Sequence, residues 1–221
     1  MSLPSRVHPF DSHASGVAGR FATVHRDALA VLTGWGAPDD AQDALRASFV
    51  RHLRDHPDGV AKAGPPAHLT VGCLVLDPRG ERVLLTHHAK TDGWYQFGGH
   101  AEARDRTLHA AAARELAEES GVGGLDVSAA PVHLDLHSLP ATYEGCRWHL
   151  DVRYAAVAPP DATPVTSAES HDVRWWAVSD LPPEAASDLA ALIAAARAWL
   201  ASDPGEANGR ARRRRDAGHS A

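Results

Sequence analysis

The chain has 221 residues, of which 44% are hydrophobic, and its formal net charge is −6 at pH 7. This length suits one hydrophobic core with flanking additions, and the acidic balance gives no reason to expect whole-protein affinity for nucleic acid. No apolar run approaches the roughly 20 residues that cross a bilayer. The two cysteines, Cys73 and Cys146, are too few for a disulfide framework and lack metal-ligand spacing. We therefore expect a cytoplasmic protein with no export signal, no membrane partner and no specific nucleic-acid partner.

The N-terminal part of the chain is predicted to be a helical extension after a weakly ordered start. Residues 1–20 are rich in Ser, His, Gly and Pro. Two helices are predicted within residues 21–67, one around Val24–Leu32 and one over Asp39–His56, where an aspartate can cap the helix and apolar residues recur at helical spacing. We expect this extension to be structural or to pair two copies of the chain in a homodimer, rather than to be catalytic.

From His68 onward the pattern changes to short apolar strands separated by turns, interrupted by two helical segments. This alternation predicts a mixed sheet with a helix on each side, and hence an α/β domain over residues 68–203. The strands are predicted over Leu69–Leu76, Arg82–Thr86, Gly93–Phe97, Val132–His137, His149–Val157 and Val173–Val178, and the helices over about Thr107–Glu119 and Ala185–Leu200.

The last residues of the chain differ in composition from the domain before them. After Asp203 come Gly, Pro and Asn, followed by a basic run that includes Arg210 and Arg212–Arg215. Such a charge run is typical of a solvated tail, so residues 204–221 are predicted to be disordered.

The strongest functional signal is a group of carboxylates on the first of these two helices. Glu115, Glu118 and Glu119 stand at i, i+3 and i+4, so all three project from one face of a single helical turn. Like charges this close repel one another and destabilise the helix. Carboxylate oxygens, completed by water and phosphate oxygens, are the ligands that Mg²⁺ and Mn²⁺ prefer. The pattern therefore predicts a divalent-cation site; the alternative is an acidic helix face in solvent.

The segment from Gly98 to Val122 resembles the Nudix box, G-x5-E-x7-R-E-U-x-E-E-x-G-U, in which U is apolar. The first half contains one extra residue, because fifteen steps rather than fourteen separate Gly99 from Arg114. Either Asp105 takes the role of the first box glutamate, or that role is absent. The second half matches at every defined position: Arg114, Glu115, Leu116, Glu118, Glu119, Gly121 and Val122.

The resemblance implies a Nudix-type α/β/α sandwich over about residues 68–200 and hydrolysis of a phosphoanhydride in a nucleoside diphosphate linked to another moiety. The implied cofactor is Mg²⁺ or Mn²⁺, and the implied partner is a nucleotide-type small molecule. The competing hypothesis is a Nudix-like domain that senses nucleotides or binds proteins, against which the retention of all three helix glutamates argues. The implied site comprises Gly98 as a backbone ligand, Glu115, Glu118 and Glu119 as metal ligands, with Glu115 also a candidate base, and Arg114 as the ion-pairing residue that orients a box glutamate.

Further residues are predicted to complete the site. Glu169, in a loop before a late strand, is the predicted fourth carboxylate, as base or ligand; Glu144 is the second choice, and a solvated loop glutamate is the alternative. His100 follows the Gly-Gly turn and is predicted to contact substrate phosphate or water on the metal. Trp94 and Tyr95 are adjacent on a strand, so one faces the core and the other is predicted to stack on a nucleobase. The remaining histidines, of fifteen in all, show no tight ligand motif.

Overall fold

The computed structural model describes residues 9–140, 145–159 and 161–202, with side chains from residue 16 onward. The predicted tail at residues 204–221 and the second-choice carboxylate Glu144 lie outside these residues. The chain divides into two compact units, each described by itself below. The first is drawn from Met1–Thr70, His100–Ala111 and Leu134–Asp151, and the second from Val71–Gly99, Ala112–His133 and Val152–Ala221.

The order of elements confirms the predicted α/β class with an N-terminal pair of helices. No helix in the described part of the chain is both long and apolar enough to cross a membrane. The elements are α1 (Pro9–Gly34), α2 (Asp40–Asp55), β1 (Ala67–Leu76), β2 (Arg82–His88), β3 (Gly93–Tyr95), β4 (Phe97–His100), α3 (Leu108–Ser120), β5 (His133–Ser138), β6 (Trp148–Val157), β7 (Ser170–Ala177) and α4 (Leu189–Ser202).

Two helices begin at different residues from those predicted. Helix α1 already includes Pro9, where the described residues begin, so it extends well before Val24. Helix α4 begins at Leu189 rather than Ala185. The reason is that the segment before it pairs with β3: Trp94 N–H donates to the Glu184 carbonyl, and Ala186 N–H donates to the Trp94 carbonyl.

The strands form one mixed, curled sheet with flanking helices. Its order is β3-β2-β1-β6-β5, with β4 also paired to β1 and β7 to β2. Strand β2 is antiparallel to β1, with Val75 opposite Leu84, and antiparallel to β7, with Leu84 opposite Trp175. The predicted hairpin of the first two strands is therefore present.

The core of the second unit lies between the sheet and α4. Alternate residues of a strand point to the same face, and residues at i, i+3, i+4 and i+7 of a helix share one face. Both periodicities are filled with apolar side chains here. The buried contributors are Leu74 and Leu76 of β1, Val83 and Leu85 of β2, Trp94 of β3, and Leu189, Leu192, Ile193 and Ala196 of α4.

The helical extension supports the box helix α3 in the first unit. The Asp27 carboxylate of α1 accepts a hydrogen bond from the Leu108 N–H at 2.7 Å. The Thr107 hydroxyl accepts a second one from the Ala110 N–H at 3.0 Å. N–H groups at the start of a helix have no intrahelical acceptor, and here side chains supply the acceptors. One of these side chains, that of Asp27, belongs to a residue 81 positions earlier in the chain.

A buried glutamine joins α2 to the edge strand β5. The Gln42 amide donates to the Leu134 carbonyl at 3.0 Å and accepts from the Leu134 N–H at 2.7 Å, so it imitates a neighbouring strand. Asp39 caps the N-terminus of α2, because its side chain accepts a hydrogen bond from the Gln42 N–H at 2.8 Å. One side chain therefore satisfies both backbone groups of a fully buried residue.

Replacing Gln42 by Ala is expected to lower the free energy of unfolding by about 2–4 kcal/mol, because it leaves a buried N–H and a buried carbonyl without partners. Urea denaturation followed by tryptophan fluorescence measures this change. Arg51→Ala, an exposed substitution on the same helix, is the control and should remain within about 0.5 kcal/mol of the original protein. Equal stability of the two variants would show that the amide bridge contributes nothing.

Candidate active site

An arginine and two glutamates of α3 form a connected ion-pair group in the second unit. The Arg114 guanidinium donates to Glu115 Oε1 at 2.9 Å and to Glu118 Oε2 at 3.0 Å. The side chains of Arg114 and Glu115 are only 13% and 14% exposed, whereas Glu118 is 51% exposed. The arginine thus holds two like-charged carboxylates on one helix face and reduces their mutual repulsion.

The third box glutamate, Glu119, is buried, with 8% of its surface exposed. Its Oε2 accepts a hydrogen bond from the Gly98 N–H at 3.0 Å. The pKa of Glu119 is raised to about 7, chiefly by burial; the Gly98 hydrogen bond acts in the opposite direction, and the charges of Glu115, Glu169 and Glu118 add to the increase. The charges of the other three predicted carboxylates therefore all act on Glu119.

The two glycines before the box allow the backbone to approach both the sheet and the helix. A Cβ atom on Gly98 would lie 2.4 Å from the Val71 carbonyl oxygen, and one on Gly99 would lie 2.8 Å from the Glu115 carboxyl group. The first contact is with rigid backbone, so any larger residue at position 98 would displace β4 from β1. Gly98 is therefore required by this close packing, whereas the contact at Gly99 is with the end of a flexible side chain.

Glu169 lies on an exposed loop immediately before β7, and backbone hydrogen bonds fix the position of that loop. Its carbonyl accepts from the Ala89 N–H at 3.0 Å, just after β2, and its N–H donates to the Ser167 hydroxyl at 3.3 Å. The Glu169 charge raises the pKa of Glu119 and also that of His88, although burial leaves the His88 pKa below its ordinary value. The loop thus carries a fourth carboxylate to the neighbourhood of the box helix.

The donor set of this group fits a hard divalent cation, because every side-chain donor is a carboxylate oxygen. A buried carboxylate with a raised pKa beside three further acids is an arrangement that positive charge stabilises. The box carboxylates are nevertheless spread apart: in the described part of the chain, the groups with three or more ligand atoms within 4.8 Å of one another lie elsewhere.

The structure distinguishes the two aromatic candidates for substrate binding. Trp94 is 5% exposed, stacks on His87 with ring centroids 4.9 Å apart, and packs edge-on against Trp176. Trp94 is therefore the residue of the pair that faces the core. Tyr95 is half-buried beside it, with the His88 ring 6.4 Å away, and it remains the candidate for stacking on a base.

Asp105, the candidate for the first box acid, has a role in local structure. It is 7% exposed, and its Oδ2 accepts a hydrogen bond from the Glu102 N–H at 2.8 Å. The Asp105 N–H in turn donates to the Glu102 carbonyl at 2.9 Å. These two bonds close the turn that contains the extra residue of the box loop.

His100 lies in a cluster of potential ligands in the first unit. Its Nε2 is 3.1 Å from His68 Nε2 and 4.0 Å from Cys146 Sγ, and its ring centroid is 5.1 Å from that of His149. The sequence shows no extended ligand motif among these residues, because they come from three separate places in the chain: His68, His100, and the segment with the local spacing Cys146-x-x-His149. That spacing was the one available signal.

Comparisons with known proteins identify the family. A family model of the NUDIX domain matches residues 66–196, which is more than half of the chain. This protein therefore belongs to the Nudix family, whose members generally use divalent metal ions. No curated protein matches the chain at a significant level.

Solved structures of Nudix proteins share this fold. A NUDIX-family hydrolase from Clostridium perfringens matches with a TM-score of 0.51 and 21% identity, covering 60% of this chain and 97% of that one. An Ap4A hydrolase from C. elegans, in a binary complex, matches with a TM-score of 0.50 and 18% identity, covering 61% and 98%. The NUDIX domain of Shewanella oneidensis NrtR, complexed with ADP ribose, matches with a TM-score of 0.49 and 25% identity, covering 60% and 87%.

In metal-free protein, Glu119→Gln is expected to raise the free energy of unfolding at pH 8 by about 3 kcal/mol. The folded-state pKa of about 7 exceeds the ordinary value of 4.5. The protonated carboxyl therefore contributes stability that is complete below about pH 4.5 and is lost as the pH rises through 7. Urea denaturation in chelator at several pH values measures the difference between the two proteins.

The stability gain of this variant should disappear as the pH falls towards 4.5, because the carboxyl and the amide are then both neutral. Glu81→Gln, an exposed substitution in the turn before β2, is the control and should show no such pH dependence. A gain that is constant across this range, or a loss at pH 8, would contradict the prediction.

Proposed function

We propose that this protein is a metal-dependent pyrophosphohydrolase that cleaves a phosphoanhydride in a nucleoside diphosphate linked to another moiety. The observation that carries the proposal is the arrangement of the three glutamates on the box helix. Glu119 is buried and accepts a hydrogen bond from the Gly98 N–H. Beside it, Glu115 and Glu118 both accept hydrogen bonds from Arg114. Membership of the Nudix family supports the same activity.

The residues that would hold the cation, Mg²⁺ or Mn²⁺, are Glu118 and Glu119 as principal ligands, the Gly98 carbonyl, and Glu115 as a further ligand or as the base. A bound divalent cation supplies neutralisation of the diphosphate charge and polarises the attacking water. An all-oxygen donor set favours these hard cations over softer ones.

The reaction we propose is attack of water on one phosphorus, with breakage of the anhydride P–O bond and release of two phosphate-bearing products. The proton of the water passes to a carboxylate, for which Glu169 is our candidate, because its loop is held by backbone bonds while its side chain stays exposed. Arg114 keeps two box glutamates in place, and Tyr95 is our candidate for stacking on the nucleobase.

The activity is tested by incubating the protein with nucleotide sugars, dinucleoside polyphosphates, NADH, ADP-ribose and damaged nucleoside triphosphates, with Mg²⁺ or Mn²⁺. At least one of these classes should be cleaved only when a divalent cation is present. Glu119→Gln should reduce that turnover by orders of magnitude while the protein remains folded, whereas Glu81→Gln should retain it. Nucleotide binding without any turnover would instead support a nucleotide-sensing domain.

Glu169→Gln is expected to lower kcat by about 10²–10⁴-fold, the usual contribution of a general base, and to leave substrate affinity and Mg²⁺ affinity nearly unchanged. Steady-state kinetics and calorimetric titration of Mg²⁺ measure these quantities. Glu184→Gln, in another exposed loop of the same unit, is the matched control.

Two other outcomes for Glu169→Gln have definite meanings. A loss of Mg²⁺ affinity together with activity would make Glu169 a metal ligand rather than the base. Wild-type behaviour would make it a solvated loop residue and would move the role of base to Glu115 or Glu144.

A further inference from the structure

A second group of potential metal ligands lies in the first unit and has different chemistry from the box carboxylates. It comprises three imidazoles and one thiol, and one ligand atom from each lies within 4.8 Å of all the others. His68 is 0% exposed and Cys146 is 3% exposed, while the other two are half-buried. The four members are His68 of β1, His100 of β4, His149 of β6 and Cys146 of the loop before β6.

Three of the interatomic distances within this group are close to those of a tetrahedral zinc site. Bond lengths of about 2.0–2.1 Å for Zn–N and about 2.3 Å for Zn–S place two nitrogen ligands about 3.3 Å apart, and sulfur and nitrogen about 3.6 Å apart. The two Nε2 atoms of His68 and His100 are 3.1 Å apart. Cys146 Sγ is 3.4 Å from the first of these and 4.0 Å from the second. All three separations lie within about 0.4 Å of the tetrahedral values.

The tautomer of His68 is fixed in the form that binds a metal. Its Nδ1 is 3.0 Å from the Pro65 carbonyl oxygen. A carbonyl can only accept, so Nδ1 carries the proton and Nε2 presents its lone pair to the group. A histidine whose outer nitrogen donates to a backbone carbonyl is the usual arrangement around a metal.

The buried ring nitrogen of His149 is not satisfied by hydrogen bonding within the group. Its Nε2 is buried and has no hydrogen-bond partner among the described residues. An unpaired buried nitrogen costs free energy, and a metal ion at the centre of the group would satisfy it.

The loop that carries Cys146 is held against the beginning of β1. The Arg147 and Trp148 N–H groups both donate to the Pro66 carbonyl, at 2.7 and 3.2 Å. This fixes the thiol beside His68, two residues further along β1. On β6, Asp151 lies near His149, and its negative charge raises the pKa of that histidine against the effect of burial. A carboxylate so placed also offsets the positive charge of a bound cation.

We propose that His68, His100, Cys146 and His149 form a structural zinc site, separate in ligand chemistry from the box carboxylates. Three neutral imidazoles and one thiolate give a closed four-coordinate set that suits Zn²⁺ and does not suit Mg²⁺. The ion would cross-link β1, β4, β6 and the loop before β6. This assignment replaces the substrate contact that the sequence predicted for His100.

The test begins with metal analysis of untagged full-length protein, expressed with added zinc and dialysed against metal-free buffer. About one zinc per chain should remain in the original protein and in Glu119→Gln, which lacks a box ligand. Cys146→Ser and His149→Ala should each retain far less. The matched controls are Cys73→Ala, which removes the other thiol, and His171→Ala, which removes an exposed imidazole; both should keep the zinc.

Cobalt substitution tests the site in the original protein, so the proposal does not depend on whether the variants fold. The Co²⁺ form should show the intense visible bands of tetrahedral cobalt and a sulfur-to-cobalt charge-transfer band, and removal of the metal should lower Tm. Weak octahedral bands without charge transfer, or complete loss of zinc on dialysis with unchanged Tm, would overturn the proposal. Retention of zinc by a folded Cys146→Ser and His149→Ala double variant would overturn it as well.

Discussion

The constraint on which the candidate active site depends is the repulsion among carboxylates on one turn of α3. Three glutamates within five residues destabilise an isolated helix, and a fourth acid arrives on the loop before β7. The protein offsets this cost in two ways that its own residues supply: Arg114 bridges two of the acids, and the Gly98 N–H binds the third. What remains is a buried carboxyl whose pKa is raised to about 7, and a positive charge beside it would favour its ionised form.

The helical extension is part of the architecture of the first unit rather than an ornament. Asp27 of α1 caps the first turn of α3, and Gln42 of α2 binds both backbone groups of Leu134 on the edge strand. An edge strand with unpaired backbone groups is a site for unwanted pairing, and covering it with a helix is one way in which proteins prevent this.

The two candidate metal groups illustrate how donor chemistry separates metal ions. The box helix offers carboxylate oxygens that are spread apart and partly exposed, which suits a hard cation that also binds substrate oxygens and exchanges readily. The cluster around His68 offers nitrogen and sulfur atoms that already stand near tetrahedral distances and are mostly shielded from solvent. On these proposals, one ion takes part in chemistry while the other holds strands together.

The α/β class, the first two strands and the box helix were predictable from the sequence alone, because they follow from local patterns and from a motif contained in a single helical turn. The sequence also limited the aromatic pair to one core residue and one candidate contact, since neighbours on a strand point to opposite faces. The structure shows that Trp94 is the core residue of the pair, because its ring packs against those of His87 and Trp176. Tertiary structure likewise turned Asp105 to closing a loop and brought His68 and His100 to Cys146 and His149. Those ligands are scattered over about eighty residues, and only the pairing of strands brings such distant positions together.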